Sequence, residues 1–108
     1  LAPHLRRRLV DYIEQHLDQP LALGELAQLA ALSEYHFARM FSTSFGLPPH
    51  RYLLQRRLRR ARELLLYSAL PLGEIALACG FASASHFSNR FRQAFGAAPG
   101  LLRAARQS

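Results

Sequence analysis

The sequence predicts an all-α fold of about seven helices, arranged as two helix-turn-helix lobes joined by a long middle helix. Three observations predict it. First, the chain says the same thing twice. Leu21-Ala-Leu-Gly-Glu-Leu-Ala27 returns as Leu70-Pro-Leu-Gly-Glu-Ile-Ala76, and Ser33-x-x-His36-Phe37-x-x-x-Phe41-x-x-x-Phe45-Gly46-x-x-Pro49 returns as Ser83-x-x-His86-Phe87-x-x-x-Phe91-x-x-x-Phe95-Gly96-x-x-Pro99. Second, apolar residues recur at three- and four-residue spacing, and no stretch reads convincingly as a strand. Third, each copy of the second block opens on a serine and has a glycine after its last phenylalanine, the residues favoured at a helix N-cap and just past a helix C-terminus. The interval between the two blocks grows by one residue in the second copy, in the turn after Gly80-Phe81.

Each element follows from its residues. From Pro3 to about Leu17, Leu5, Leu9, Ile13 and Leu17 form one stripe, while Arg6, Arg7 and Arg8 sit near the N-terminus, where the helix dipole disfavours cations. Asp18-Gln-Pro20 breaks that helix. A short helix follows from about Leu23 to Ala31, with Leu23, Leu26, Ala27 and Ala30 inward; Ala22 cannot cap it, so it depends on packing. After the turn at Leu32-Ser33, Ser33 caps a helix to about Ser44 with Phe37, Met40, Phe41 and Phe45 as its buried stripe. Pro48-Pro49 starts a helix to about Tyr67 whose apolar positions are Tyr52, Leu54, Leu58, Ala61, Leu64 and Leu65, wrapped by Arg51, Arg56, Arg57, Arg59, Arg60 and Arg62. The pattern then repeats from about Leu72 to Cys79 and from Ser83 to Phe95. A last short basic helix after Pro99 is expected to fray at Ser108. The lobes are expected at 1–46 and 68–108, with the linking helix at 47–67.

Composition narrows the function. Of 108 residues, 50% are hydrophobic, enough for a core, and the net charge is +7. All the basic charge apart from histidine is arginine, and no acid follows Glu74. The excess of base points to an acidic partner, and a small helical unit used twice suits a periodic polyanion, double-stranded DNA above all. One cysteine, Cys79, excludes an internal disulfide framework, no apolar run approaches the roughly 18–20 residues of a membrane span, and nothing reads as a signal peptide. No membrane partner is expected, and the expected compartment is the cytoplasm. Leu1 in place of a starting methionine suggests a piece of something longer.

At this point the residues resemble a known family. Ser33-x-x-His36-Phe37-x-Arg39-x-Phe41, Gly46-x-Pro48 and Tyr52-Leu53-x-x-x-Arg57-Leu58-x-x-Ala61-x-x-Leu64-Leu65 are similar to the AraC/XylS family of bacterial transcription regulators. The second half is more diagnostic: Ile75-Ala76-x-x-x-Gly80-Phe81-x-x-x-Ser85-x-Phe87-x-x-x-Phe91, then Phe95-Gly96-x-x-Pro99-x-x-x-Arg103. The resemblance covers about residues 5 to 104. It implies two recognition helices in successive major grooves and a separate N-terminal effector-binding or dimerisation domain outside this chain. It also implies base contacts at Tyr35, Ala38 and Arg39 in the first recognition helix, and at Ala84, Ser85, Ser88 and Asn89 in the second.

Chemistry ranks those positions. Arg39 can grip guanine bidentately and Asn89 adenine; Tyr35 can meet a thymine methyl or a phosphate; Ala38 and Ala84 offer at most an apolar contact. Many family members carry arginine where this chain has Asn89. Ser33 and Ser83 are candidates for phosphate contacts beside their capping role. Arg51, Arg56, Arg60, Arg90 and Arg92 are candidate backbone contacts, set against the plainer reading of a solvated basic face. For Arg57 a structural role also stays open. His36 and His86 lack the Cys, His or acidic neighbours a metal would need, and are expected to pack partly buried or to touch phosphate. The phenylalanines at 37, 41, 45, 87, 91 and 95 are expected in the core, and Cys79 is expected to be buried and inert. No cofactor or metal is expected. There is no paired-carboxylate site, nucleophile–base pair or phosphate-binding glycine loop to suggest an enzyme. The alternative reading is a helical protein-interaction module whose basic face meets an acidic partner, for example RNA polymerase.

Overall fold

The computed structural model describes residues 1–107, so the fraying expected at Ser108 lies outside the described residues. Among those residues there are seven helices and no strand: α1 (Pro3–Gln15), α2 (Leu23–Leu29), α3 (Glu34–Phe45), α4 (Pro49–Tyr67), α5 (Leu72–Ala78), α6 (Ala84–Phe95) and α7 (Pro99–Gln107). They form two compact units that divide inside α4, one of Leu1–Arg56 and one from Arg57 onward.

In the first unit α2 packs on α3, and the core gathers Leu9 and Ile13 of α1, Leu17, Leu26, Ala27, Phe37, Phe41 and Leu53. Ala27 is small enough to let the two helices cross closely. The α1 stripe is as expected, but the helix stops at Gln15, two residues early. His16 ends it: the ring stacks on Tyr12 at 4.1 Å, and Nδ1 lies 2.7 Å from the Tyr12 carbonyl oxygen, occupying a helix-end acceptor. Leu17 remains buried just beyond that end. α2 stops at Leu29 rather than Ala31 because Ala31 adopts the left-handed region, φ 57°, which lets Leu32 N–H reach back to the Ala27 carbonyl at 3.0 Å. Within α4, Leu53 is buried, whereas Tyr52, Leu54 and Leu64 are half-buried. Tyr52 nonetheless closes an aromatic cluster, edge-on to Phe41 at 5.4 Å and to Phe45 at 5.0 Å.

The second unit repeats this with other residues. α5 packs on α6, the small Ala76 is again buried, and Ile75, Cys79, Phe81, Phe87 and Phe91 are buried, as are Leu58, Ala61 and Leu65 of α4. Arg103 of α7 locks the end of α4. Its Nε donates to the Leu65 carbonyl (3.1 Å), Nη1 to Leu70 (2.5 Å), and Nη2 to Ser68 (3.2 Å) and Leu64 (3.4 Å). The last carbonyls of an α-helix have no partner within the helix, and a guanidinium fork is well suited to gather several at once.

Three side chains expected in the core lie outside it: Met40 is 44% exposed, Phe95 41% exposed, and Leu23 is also exposed. Phe45 is half-buried and packs against the edge of the core. Met40 sits one step round the helix from the Phe37–Phe41 line. Its equivalent in the second copy is Arg90, a residue that belongs outside. Phe45 and Phe95 close the last turns of their helices, where the core thins; each carries a guanidinium over its ring, Arg6 at 4.5 Å and Arg62 at 5.6 Å.

Candidate nucleic-acid interface

The recognition-helix surfaces are built by capping and by contrast between faces. Ser33 Oγ accepts from His36 N–H at 3.2 Å, and Ser83 Oγ accepts from His86 N–H at 3.0 Å, fixing where each helix begins. Gly46 (φ 78°) and Gly96 (φ 80°) end the two helices in the left-handed conformation that glycine adopts without steric cost. Buried Phe37 and Phe41, or Phe87 and Phe91, fix one face against the core. The opposite face is thereby turned to solvent.

On α3 that face carries Tyr35 and Arg39. Tyr35 is 66% exposed, and Arg39 Nη1 donates to its hydroxyl at 3.1 Å, with the guanidinium 5.7 Å from the ring centroid. The phenol thus holds the arginine in place while other N–H groups of the fork face outward. Ala38 is half-buried and borders an apolar recess of about 330 Å³ lined by Leu21, Leu23, Leu26, Pro48, Pro49, His50 and Leu53. Only a small side chain sits there without filling it. On α6, Ala84, Ser85 and Asn89 are exposed and Ser88 is half-buried. Asn89 Oδ1 accepts from Arg92 Nη2 at 3.1 Å. No ligand is needed to bring either pair together.

The remaining candidates divide by what they touch. His36 and His86 are exposed, not partly buried. The His36 ring lies 3.2 Å from Ser33 Oγ through Nδ1, and the His86 ring meets Phe81 edge-on at 5.7 Å. Their place on the first turn leaves no core to enter. Arg51 and Arg90 are exposed. Arg60 pairs loosely with Glu63 at 3.8 Å. Arg56 donates to Glu14 at 2.5 Å, so its charge is already balanced within the first unit. Arg57 is half-buried, and burial pulls its pKa below the usual arginine value. Burial also pushes the Cys79 thiol up to about 11, against the opposing pull of Arg60 and Arg57, so the thiol is neutral and a poor nucleophile at pH 7.

Sequence reasoning missed two features of this surface: the Tyr35–Arg39 brace and the Asn89–Arg92 bond. Their spacings, four and three residues, were the available signal, because side chains so separated are neighbours on a helix. No group of three or more His, Cys, Asp or Glu side chains that could hold a metal occurs among the described residues. No helix among them is long and apolar enough to cross a membrane.

Two capped helices, each crossed by a short partner and each turning polar and basic side chains outward, define a double helix-turn-helix protein of the nucleic-acid-binding kind. Comparison with known proteins narrows the class. A family described as "Helix-turn-helix domain" matches residues 26–105. The probable transcriptional regulator LumQ of Photobacterium leiognathi is 40% identical over 92 residues, which are 84% of this chain and 37% of LumQ. The transcriptional activator RhaS of Escherichia fergusonii is 37% identical over 100 residues, 93% of this chain and 36% of RhaS. Among solved structures, the DNA-binding domain of AdpA, a global transcriptional factor in complex with a target DNA, superposes with a TM-score of 0.89 at 31% identity, covering 94% of this chain and 91% of that one. An AraC-type transcriptional regulator from Chromobacterium violaceum gives 0.85 at 34% identity, with 94% and 91% covered. The chain belongs to the AraC-type helix-turn-helix family, the DNA-binding domains of transcription regulators. It spans little more than a third of the length of these two curated relatives.

Proposed function

We propose that this domain binds a specific double-stranded DNA sequence to regulate transcription, with α3 and α6 each entering a major groove and the two grooves lying roughly 34 Å apart, one turn of the duplex. The observation that carries it is the pairing of Arg39 and Asn89. They hold the same position in the two copies, both on the exposed face opposite buried phenylalanines. In this reading Arg39, steadied by Tyr35, reads one base in the first half-site. Asn89, with Ser85 and Ser88, reads the second, and Ala38 and Ala84 contribute apolar contact or mere closeness. Ser33, His36, Ser83 and His86 meet phosphates at the two helix starts, where the helix dipole favours an anion. Arg51, Arg60 and Arg90 add charge along the backbone, whereas Arg56 contributes less because Glu14 already holds it.

The lobes are proposed to end and begin at residues 46 and 68, with residues 47–67 as the link. The full protein is proposed to carry an effector-binding or dimerisation region elsewhere and to act in the bacterial cytoplasm, at the nucleoid. A contact with RNA polymerase, made through the basic face, is proposed as a second role.

Selection of bound duplexes from a random library, at fixed near-physiological salt, tests the reading. Two short motifs about one helical turn apart are expected. Enrichment of the first motif alone would reduce α6 to holding the backbone. Binding without any motif would leave a generic polyanion binder, and no binding would favour the protein-interaction reading.

A further inference from the structure

The two recognition helices place their arginines differently. Where α3 has Arg39, α6 has Asn89; where α3 has Ser42, α6 has Arg92. In the second lobe these two side chains are bonded, Arg92 Nη2 donating to Asn89 Oδ1 at 3.1 Å on the exposed side of the helix. A guanidinium has five N–H donors and no acceptor. It therefore holds the carboxamide with its oxygen toward Arg92, because the flipped amide would set NH₂ against the guanidinium, donor facing donor. The Nδ2 hydrogens face away from Arg92, beside the other donors of its guanidinium, while one of the two Oδ1 lone pairs is taken. An unpaired asparagine offers a donor and a fully free acceptor, the complement of the N7 and N6–H₂ of adenine. A surface on which donors prevail, with a positive charge behind it, favours guanine, whose N7 and O6 both accept.

We infer that Arg92 is a specificity-determining positioning residue, which turns Asn89 from a reader of adenine into a reader of guanine. The inference rests on α6 acting as a base-reading helix, as proposed above, and names the base it takes. Arg92 acts through the orientation of Asn89, so its removal changes which base is chosen more than how tightly DNA is held.

The test is selection from a random duplex library at one salt concentration with the wild-type domain, Asn89→Ala, Arg92→Ala and Arg92→Lys, each first shown by circular dichroism to melt cooperatively. The position whose preference vanishes in Asn89→Ala is the one Asn89 reads. There the wild type is expected to favour guanine over adenine by about tenfold. Arg92→Ala is expected to move that one position to adenine and leave the rest of the motif unchanged. Arg92→Lys, which keeps a donor-only cation, is expected to retain guanine. Adenine in the wild type overturns the proposal, as does a guanine preference that survives Arg92→Ala. Uniform weakening of every sequence, with that position unchanged, makes Arg92 a phosphate contact and overturns it too. If no position depends on Asn89 while the one read by Arg39 persists, the base-reading role of α6 has failed and the inference with it, whereas DNA binding by the first lobe stands.

Discussion

In the first lobe the turn between α2 and α3 holds Ala31 in the left-handed region at φ 57°; in the second, Gly80 does the same work at φ 83°. Both turns make the same bonds. Leu32 N–H reaches the Ala27 carbonyl at 3.0 Å and Phe81 N–H reaches Ala76 at 2.9 Å, although the second turn carries one residue more before its capping serine. The lobes then diverge outside the scaffold. Lobe one presents an arginine braced by a phenol; lobe two presents an amide braced by an arginine. Beyond the recognition helices the copies differ again: Leu53 fills the core of the first unit, and its equivalent Arg103 ties off the end of α4 in the second. The comparison teaches that buried positions and turn hydrogen bonds hold the helix pair constant, while the exposed face is free to carry different chemistry.

The largest expected effect tests the one strut that only the second unit has. Arg103→Ala should cost about 2–3 kcal/mol, because several carbonyls lose a charge-assisted donor together. Chemical denaturation should show that loss in the second unit, and Arg103→Lys should recover little of it, since an ammonium cannot reach the same set of acceptors. A lysine variant as stable as the parent would mean that the fork geometry does not matter.

Next comes the reading face. Arg39→Ala should lose roughly 1–3 kcal/mol of binding to the selected site and relax the choice at one base. Equal loss on every sequence, with a flatter salt dependence, would make Arg39 a phosphate contact instead.

The turns offer a reciprocal pair. Gly80→Ala should destabilise by about 1 kcal/mol, because an alanine Cβ meets the following carbonyl at positive φ. Ala31→Gly should stabilise by about 0.5–1 kcal/mol, the relief of that clash being partly offset by the greater freedom of glycine in the unfolded chain. Thermal melts of the two variants moving in the same direction would contradict the equivalence of the two turns.

The smallest effect is at high pH. Cys79 occupies the position that Ala30 holds in the first copy, and its folded pKa is raised from 9.0 to about 11 by burial. A raised pKa means that the folded state keeps its proton more firmly. Its contribution to stability is therefore complete below pH 9 and is lost as pH rises toward 11. Melting temperatures should fall faster above pH 9 in the wild type than in Cys79→Ala; parallel curves would show that the thiol does not ionise at a cost to folding.

Much of this was legible in the residues because the chain repeats itself. Ser33 and Ser83, Gly46 and Gly96, and the Phe37–Phe41 and Phe87–Phe91 lines mark helix starts, stops and faces by chemistry that does not depend on tertiary context. What escaped was decided by distant partners or by flexible side chains. Nothing local in Arg103 says that it reaches back to Leu64 and Leu65, 39 and 38 residues earlier. Ala31 adopts a conformation that alanine avoids, so the turn was visible but the residue forming it was not. Met40 looked apolar enough to bury, yet its equivalent Arg90 shows that the position belongs outside. On the exposed face of α3 and α6, the residue types were visible and their mutual bonds were not, because an amide or guanidinium has several rotamers and the sequence does not choose among them.

The central claim is that each lobe reads its own bases with its own side chains. The most direct measurement compares library selections with the wild type, Arg39→Ala and Asn89→Ala at one salt concentration. Arg39→Ala should erase preference at one position and Asn89→Ala at another, about one helical turn away, each leaving the other intact. If both substitutions blur the same position, or neither changes any, the two lobes do not read separate half-sites.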